Sequence, residues 1–218
     1  RNACQNDLPV GWTMLTRRGI EAAKRQYSFR KSALTLPLCG CMIPTDTKKG
    51  AFLMPKWLDN AVFYEIYPQS FLDTNADGIG DFQGIINKLD YIRGLGCNAL
   101  WINPCFLSPF GDAGYDVADY YRVAPRYGTN EDLKRLFAEA HKREMHVLLD
   151  LVPGHTSVEH EWFRESMKAE WNVYTDRYVW TDSVWEAPEN MGCLRGISQR
   201  DGSCAINFFT CQPALNYG

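Results

Sequence analysis

Long apolar runs are missing from this 218-residue chain. No stretch reaches the roughly 18 consecutive apolar residues that a membrane-spanning helix needs. An excess of one charge sign is missing too. The net charge of −3 leaves no electrostatic footprint for nucleic acid or for an anionic membrane surface. The cysteines at 4, 39, 41, 97, 105, 193, 204 and 211 include no CxxC pair, which argues against a structural zinc site. They are also too sparse for a disulfide scaffold. Free thiols in a reducing cytoplasm are therefore expected. Pairing among Cys193, Cys204 and Cys211 in a secreted protein is the alternative. The apolar stretch from Ala33 to Ile43 follows Arg30-Lys31 and imitates a secretory leader, but no small-residue cleavage site is evident. No internal repeat or low-complexity tract occurs.

What remains is ordinary globular composition, with 45% apolar and 22% charged residues. Seven Trp and eleven Tyr allow a carbohydrate partner, because sugars present flat C–H faces that stack on such rings. The chain has two compositional zones. Residues 1–53 hold nine basic and three acidic residues, a net of +6, and show no sustained periodicity. Residues 54–218 carry a net of −9, and regular patterns begin at Met54. Residues 1–53 are accordingly expected to be an extension outside the fold, whose deletion leaves the core's stability unchanged.

From Met54 the pattern reads β-α-β-α-β. Val62 to Tyr67 is a β-rich run closed by Pro68. Ile85, Leu89, Ile92 and Leu95 then recur at helical spacing, ended by Gly94 and Gly96. Asn98 to Asn103 is a second strand, closed by Pro104. Thr129 and Asp132 form a capping-box pattern ahead of Leu133, Leu136, Phe137 and Ala140, an amphipathic helix. His146 to Val152 is the third strand. Buried, non-alternating strands joined by helices predict a parallel α/β sheet, with ligand chemistry at the strands' C-terminal ends. Asn103, Asp150 and His155 fall there. Residues 156–212 break this rhythm and read as a long functional insertion.

The sharpest local pattern is Asp73, Asn75, Asp77, Ile79 and Asp81 around Gly78. Oxygen side chains alternate, and Ile79 would add its carbonyl, which suits one structural calcium ion. It is not a full EF-hand, since Gly84 stands where a Glu would close the loop and the flanking run is a strand. The competing reading is an acidic turn that caps the next helix without an ion. A second cluster, Glu159, Glu161 and Glu165 near His160, reads better as a solvated helix face than as a metal site.

The run FYEIYPQSFLDTNADGIGDFQGIINKLDYIRGLG resembles the opening of the glycoside hydrolase family 13 barrel, the α-amylase superfamily. It is most similar to the oligo-1,6-glucosidase and bacterial α-amylase-like branches. ALWINPCFLSP, DAGYDVADYYRVAPRYGT, HVLLDLVPGHTS and a final QPALN follow in the order the family shows, so the match covers about residues 57–217. The resemblance implies the first three strands and two helices of a (β/α)8 TIM barrel in residues 54–152, and an inserted domain B in residues 153–218. It implies a retaining α-glycoside hydrolase acting on an α-linked oligosaccharide or glucan, with no nucleic-acid or membrane partner. The Asp nucleophile and Glu acid/base would stand about 5–5.5 Å apart after strands four and five. Those positions lie beyond Gly218, so this chain alone is expected to be inactive. A three-strand cut of a barrel, with open edges and an uncovered interior, is also expected to be unstable or to aggregate.

Residue by residue, Tyr115 matches the aromatic that stacks on the sugar in the cleaved subsite. Asp112 matches the acid that closes the non-reducing end in the glucosidase branch, although Ala113 replaces a common Asn. His155 matches the histidine that bonds sugar hydroxyls. Asp150 matches the strand-three acid, whose partner in the family is an Arg beside the nucleophile, absent from this chain. Asp116 and Asp119 are expected to brace the loop, and Gln212 and Asn216 to line the domain B wall. Gly154 replaces an Asn that binds calcium in many α-amylases, so no second ion is expected. Ala214 replaces the usual Asp or Lys of the last motif, which removes a clue to linkage. A transglycosylase or isomerase such as trehalose synthase would share these motifs. So would a non-catalytic relative such as a transporter heavy chain, although those carry a membrane span before the barrel.

Overall fold

The computed structural model describes residues 54–186, 191–195 and 199–218. The extension expected at 1–53 lies outside the described residues. No helix among them is long and apolar enough to cross a membrane.

The expected β-α-β-α-β order is present. Strand β1 (Phe63–Ile66) leads to helix α1 (Phe82–Gly94), then β2 (Ala99–Ile102). A hairpin of β3 (Phe106–Leu107) and β4 (Asp119–Val123) precedes helix α2 (Asn130–Lys142) and β5 (His146–Leu149). The strands β1, β2 and β5 are parallel, in the order β1-β2-β5. Each is four residues long, shorter than the apolar run that announces it. The β2–β5 ladder runs on only as far as Asp150, whose N–H donates to the Ile102 carbonyl at 2.9 Å. Past that point β2 reaches Pro104, which has no N–H for a ladder.

Helix α1 starts where Asp81 accepts the Gly84 N–H at 2.7 Å. Helix α2 starts with the expected capping box, Thr129 and Asp132 bonding each other's backbone N–H. Such caps satisfy donors that the first helical turn leaves unpaired. The helices cover one face of the sheet. Phe82, Ile85, Leu89 and Ile92 of α1 and Leu133, Leu136 and Ala140 of α2 pack with Ile66, Leu100 and Ile102 in one buried cluster. The pleat turns the alternate residues, Glu65, Trp101 and Leu148, to the opposite face, where they lie side by side in register. Leu148 is 37% exposed there. The site is built at the C-terminal rim of this face.

After β5 come helix α3 (Glu161–Ser166) and three short strands, β6 (Trp180–Thr181), β7 (Gly192–Arg195) and β8 (Ser203–Ile206). These form an antiparallel sheet in the order β6-β8-β7. Phe163 and Tyr178 are buried in a cluster of their own beside it. Single bridges join His155 to Ala214 and Tyr178 to Leu215, so residues 214–215 fold back over the segment that follows β5. The acids near His160 behave as a solvated face. Glu165 pairs with Lys168 at 2.7 Å and Glu161 is exposed, while His160 itself is buried and caps α3 through Nδ1.

Candidate active site

The loop between β3 and β4 carries Asp112 and Tyr115 over the ends of the parallel strands. Asp116 holds that loop in shape. It is fully buried, and its carboxylate accepts from Ser108 Oγ (2.8 Å) and from the N–H groups of Gly111 (2.8 Å) and Asp112 (3.1 Å). A buried carboxylate needs such donors. Asp116 is thus the brace that the sequence suggests. Asp119 has a smaller part, accepting the Tyr121 N–H at 2.8 Å.

Tyr115 is the hub of the site. Its hydroxyl donates to Asp150 Oδ2 at 2.8 Å, and its backbone carbonyl lies 3.1 Å from His155 Nε2. Its own N–H donates to the Asp112 carbonyl at 2.7 Å. All four residues singled out in the sequence, Asp112, Tyr115, Asp150 and His155, therefore belong to one connected network. Burial first, and then the bond to Asp150, raises the Tyr115 phenol above its ordinary range, so it stays protonated and remains a donor.

In place of the family's Arg, Asp150 has neutral partners. Besides Tyr115, it accepts from Trp101 Nε1 at 3.2 Å. Trp101 and Asp150 share the open face of the sheet because both follow the same alternation, β2 and β5 being in register at Trp101 and Leu148. The Asn103 side-chain amide lies 3.3 Å from the Tyr115 hydroxyl at the same rim. The two donors compensate the carboxylate without an Arg.

His155 is 4% exposed, and both of its ring nitrogens have protein partners, Tyr115 O at Nε2 and Asn207 Nδ2 at Nδ1, each at 3.1 Å. Burial lowers its pKa below the ordinary imidazole value. Asp112 Oδ2 accepts from Gln212 Nε2 at 2.7 Å, and Gln212 is fully buried. Gln212 thus sits at the site wall. Asn216 bonds the Asp176 carbonyl at 3.1 Å instead. Two further residues of the site, Trp101 and Asn207, are assigned no role by the sequence patterns above. Strand alternation could have found Trp101. Nothing local marks Asn207, which is 52 residues from its partner.

The predicted metal loop follows β1 and is tied by its own hydrogen bonds. Asp73 accepts the N–H groups of Asn75 (3.0 Å), Ala76 (2.7 Å) and Gly78 (2.8 Å), which hold its carboxyl below the usual range, the Gly78 bond most strongly. Asp77 accepts from Ile79 N (2.8 Å) and Asn75 Nδ2 (3.1 Å). Asp81 caps α1 and accepts twice from Thr74, at 3.0 and 2.7 Å. Among the described residues, no three His, Cys, Asp or Glu side chains gather closely enough to hold a metal ion. The donors are nevertheless all hard oxygens on one short turn, the ligand class calcium requires.

A family model described as alpha amylase, catalytic domain, matches residues 65–215. An oligo-1,6-glucosidase of Heyndrickxia coagulans is 45% identical over 172 residues, which is 75% of this chain and 31% of that enzyme. The trehalose synthase/amylase TreS of Mycolicibacterium smegmatis is 45% identical over 185 residues, 80% of this chain and 30% of that protein. Among solved structures, a mutant of MutB in complex with the substrate sucrose superposes with a TM-score of 0.68 at 41% identity, covering 76% of this chain and 31% of that one. The chain thus spans less than a third of the length of each. With most of its length matched by that family model and its rim residues joined in one network, this chain belongs to the α-amylase catalytic-domain family.

Proposed function

We propose that this chain is part of a retaining α-glycoside hydrolase acting on α-glucosides or α-glucans, and that it supplies one wall of the glucose-binding subsite. In this reading β1, β2 and β5 are the first three strands of a (β/α)8 barrel, and residues 153–218 form domain B. The carrying observation is the network through Tyr115, which gathers Asp112, Asp150 and His155 at the C-terminal rim of a parallel sheet. Tyr115 offers a ring face for the sugar. His155 would share with a sugar hydroxyl the Nε2 proton that it donates to the Tyr115 carbonyl, and Asp112 would offer an acceptor. Asp150 orients Tyr115 and transfers no proton. The carboxylates that break the bond belong to parts of such enzymes that this chain does not match.

The metal loop takes one calcium ion in this reading, held by Asp73, Asn75, Asp77, Ile79 O and Asp81. The ion would pin the segment after β1. The side chains of Asn75 and Asp77, now bonded to each other, would turn to it. A cytoplasmic location is part of this reading, and the buried free thiols of Cys97 and Cys105 support it. The test is hydrolysis of isomaltose and maltose by the full-length protein. Release of glucose is expected, with Tyr115→Ala lowering kcat/KM at least a hundredfold. No activity on any α-glucoside, or an unaffected Tyr115→Ala, would overturn the reading. An isomerase is the second reading, favoured by the likeness to TreS at the same 45% identity. A rearranged disaccharide in place of free glucose distinguishes the two.

A further inference from the structure

We infer that Asn207 is a positioning residue that fixes the proton of His155 on Nε2 and keeps the imidazole neutral. The argument is a proton inventory. Asn207 Nδ2 lies 2.9 Å from the Gly154 carbonyl oxygen and 3.1 Å from His155 Nδ1. A carbonyl only accepts, so the amide must face Gly154 with its nitrogen. Its second hydrogen then points at Nδ1, which must be the bare, accepting nitrogen. At the other end of the ring, Nε2 lies 3.1 Å from the Tyr115 carbonyl, again an acceptor only. Nε2 therefore carries the proton. Two carbonyls, one at each end, leave one tautomer.

The same inventory resists protonation. An imidazolium would place a hydrogen on Nδ1 against the Asn207 amide hydrogens. Relieving that contact turns the amide over and breaks its bond to Gly154. The other groups around the ring are accounted for. The carboxylates of Asp112 and Asp116 favour the cation. Each is already engaged, Asp112 by Gln212 and Asp116 by Ser108 and two backbone N–H groups. Phe208 meets the ring edge-on at 5.9 Å between centroids, and the Tyr120 hydroxyl, which donates to the Val152 carbonyl at 2.7 Å, lies 3.0 Å from the His155 carbonyl. Neither carries charge at neutral pH. Asn207 is itself held, directly after β8, by its N–H to the Gln212 carbonyl at 3.1 Å. The antiparallel sheet of residues 180–206 thus sets the hydrogen-bonding state of a residue at the rim of the parallel one.

The catalytic consequence rests on the proposed sugar-binding role of His155, but the tautomer does not. The experiment uses the full-length protein labelled with 13C,15N-histidine, the His155 resonances being assigned by their loss in His155→Gln. In the wild type, NMR should show the neutral Nε2–H tautomer and a pKa below that of free imidazole. Asn207→Asp, nearly isosteric, offers an acceptor to Nδ1 and should raise the His155 pKa by about one to three units. The acid limb of the kcat/KM profile should move up with it. Asn207→Ala should lower kcat/KM without that move. An Nδ1–H tautomer in the wild type, or an unmoved pKa in Asn207→Asp, overturns the inference. The first of these needs no variant to fold. A shifted pKa with an unmoved rate profile upholds the role of Asn207 and removes His155 from the sugar site.

Discussion

Replacing Tyr115 by Phe tests the hub directly. The change deletes one oxygen and keeps the ring, so packing survives. What is lost is the 2.8 Å bond from the hydroxyl to Asp150 Oδ2. A hydrogen bond to a charged group contributes about 1.5–3 kcal/mol. Both residues are only half-buried, so water can partly replace the donor, and the lower end, about 1.5 kcal/mol, applies. Asp150 keeps Trp101 Nε1 at 3.2 Å, which limits the damage to one oxygen. Urea denaturation of the full-length protein, followed by tryptophan fluorescence, measures the loss. A double-mutant cycle with Asp150→Ala isolates the pair from the other effects of each change. The expected coupling is about 1–2 kcal/mol. A coupling below about 0.3 kcal/mol, the level at which independent sites simply add, would refute the claim that Tyr115 and Asp150 act as a unit.

Asp81→Ala removes the α1 cap and both Thr74 bonds, and should lower stability by about 1–2 kcal/mol by thermal melting in EGTA. Asp77→Ala touches no helix cap. It should abolish calcium heat in isothermal titration while leaving the melting point in EGTA nearly unchanged, and undiminished heat would remove the ion from this loop. Gly84→Ala places a Cβ 2.1 Å from the Leu72 carbonyl oxygen, a backbone collision with nowhere to relax. A loss of about 3 kcal/mol or more is expected, seen as little folded protein on expression. His155 and His160 both have pKa values lowered by burial. The unfolded chain therefore binds protons first as pH falls below about 6.5, and stability drops from there towards the lower native values. His160→Asn keeps a good N-cap and should flatten that drop between pH 6.5 and 5.5 by at most about 1.4 kcal/mol per pH unit. An unchanged slope in urea midpoints would contradict it.

The parallel sheet was legible because its signals are local and redundant. Val62 to Tyr67 is a run of β-branched and aromatic residues and Asn98 to Asn103 a short run with an apolar centre, each stopped by a proline. Thr129 and Asp132 announce α2 through a reciprocal cap that needs only four residues. The rim residues were legible through motif order alone, since nothing in a lone Tyr115 or His155 distinguishes a ligand from a core residue. The β3–β4 hairpin escaped notice because Phe106–Leu107 is two residues long and its register shifts between them, too little for periodicity to act on. The sheet of residues 180–206 escaped for a similar reason. β6 is two residues long, and pairing of β8 with both neighbours joins segments too far apart for turn chemistry to signal. The resemblance implies an Arg as the partner of Asp150, yet the structure pairs it with two neutral donors, Tyr115 and Trp101. Alternation along β2 and β5 could have predicted the second.

The three sources of the rim divide its physics. Strand ends supply Trp101, Asn103 and Asp150 from a sheet whose register is fixed by the core beneath it, so these positions cannot drift independently. The loop between β3 and β4 supplies Asp112 and Tyr115 and has no such support. Its rigidity comes from Asp116, which joins three donors of the loop through one buried carboxylate. The later antiparallel sheet supplies the orienting partners, Asn207 for His155 and Gln212 for Asp112, from one turn six residues long. Groups held this way lose little freedom when a ligand arrives, so more of the contact energy appears as binding. The same logic identifies the vulnerable point. Asp116 is fully buried and touches no proposed ligand, yet Asp116→Asn would swap one acceptor oxygen for a donor facing Ser108 or the N–H groups of Gly111 and Asp112. One buried donor would be left unpaired, at about 1–3 kcal/mol, and Tyr115 would lose its fixed approach to Asp150. Sugar affinity in the full-length protein should then fall with no contact to sugar removed, and an Asp116→Asn enzyme with unchanged KM and kcat would show that the loop holds its shape by other means.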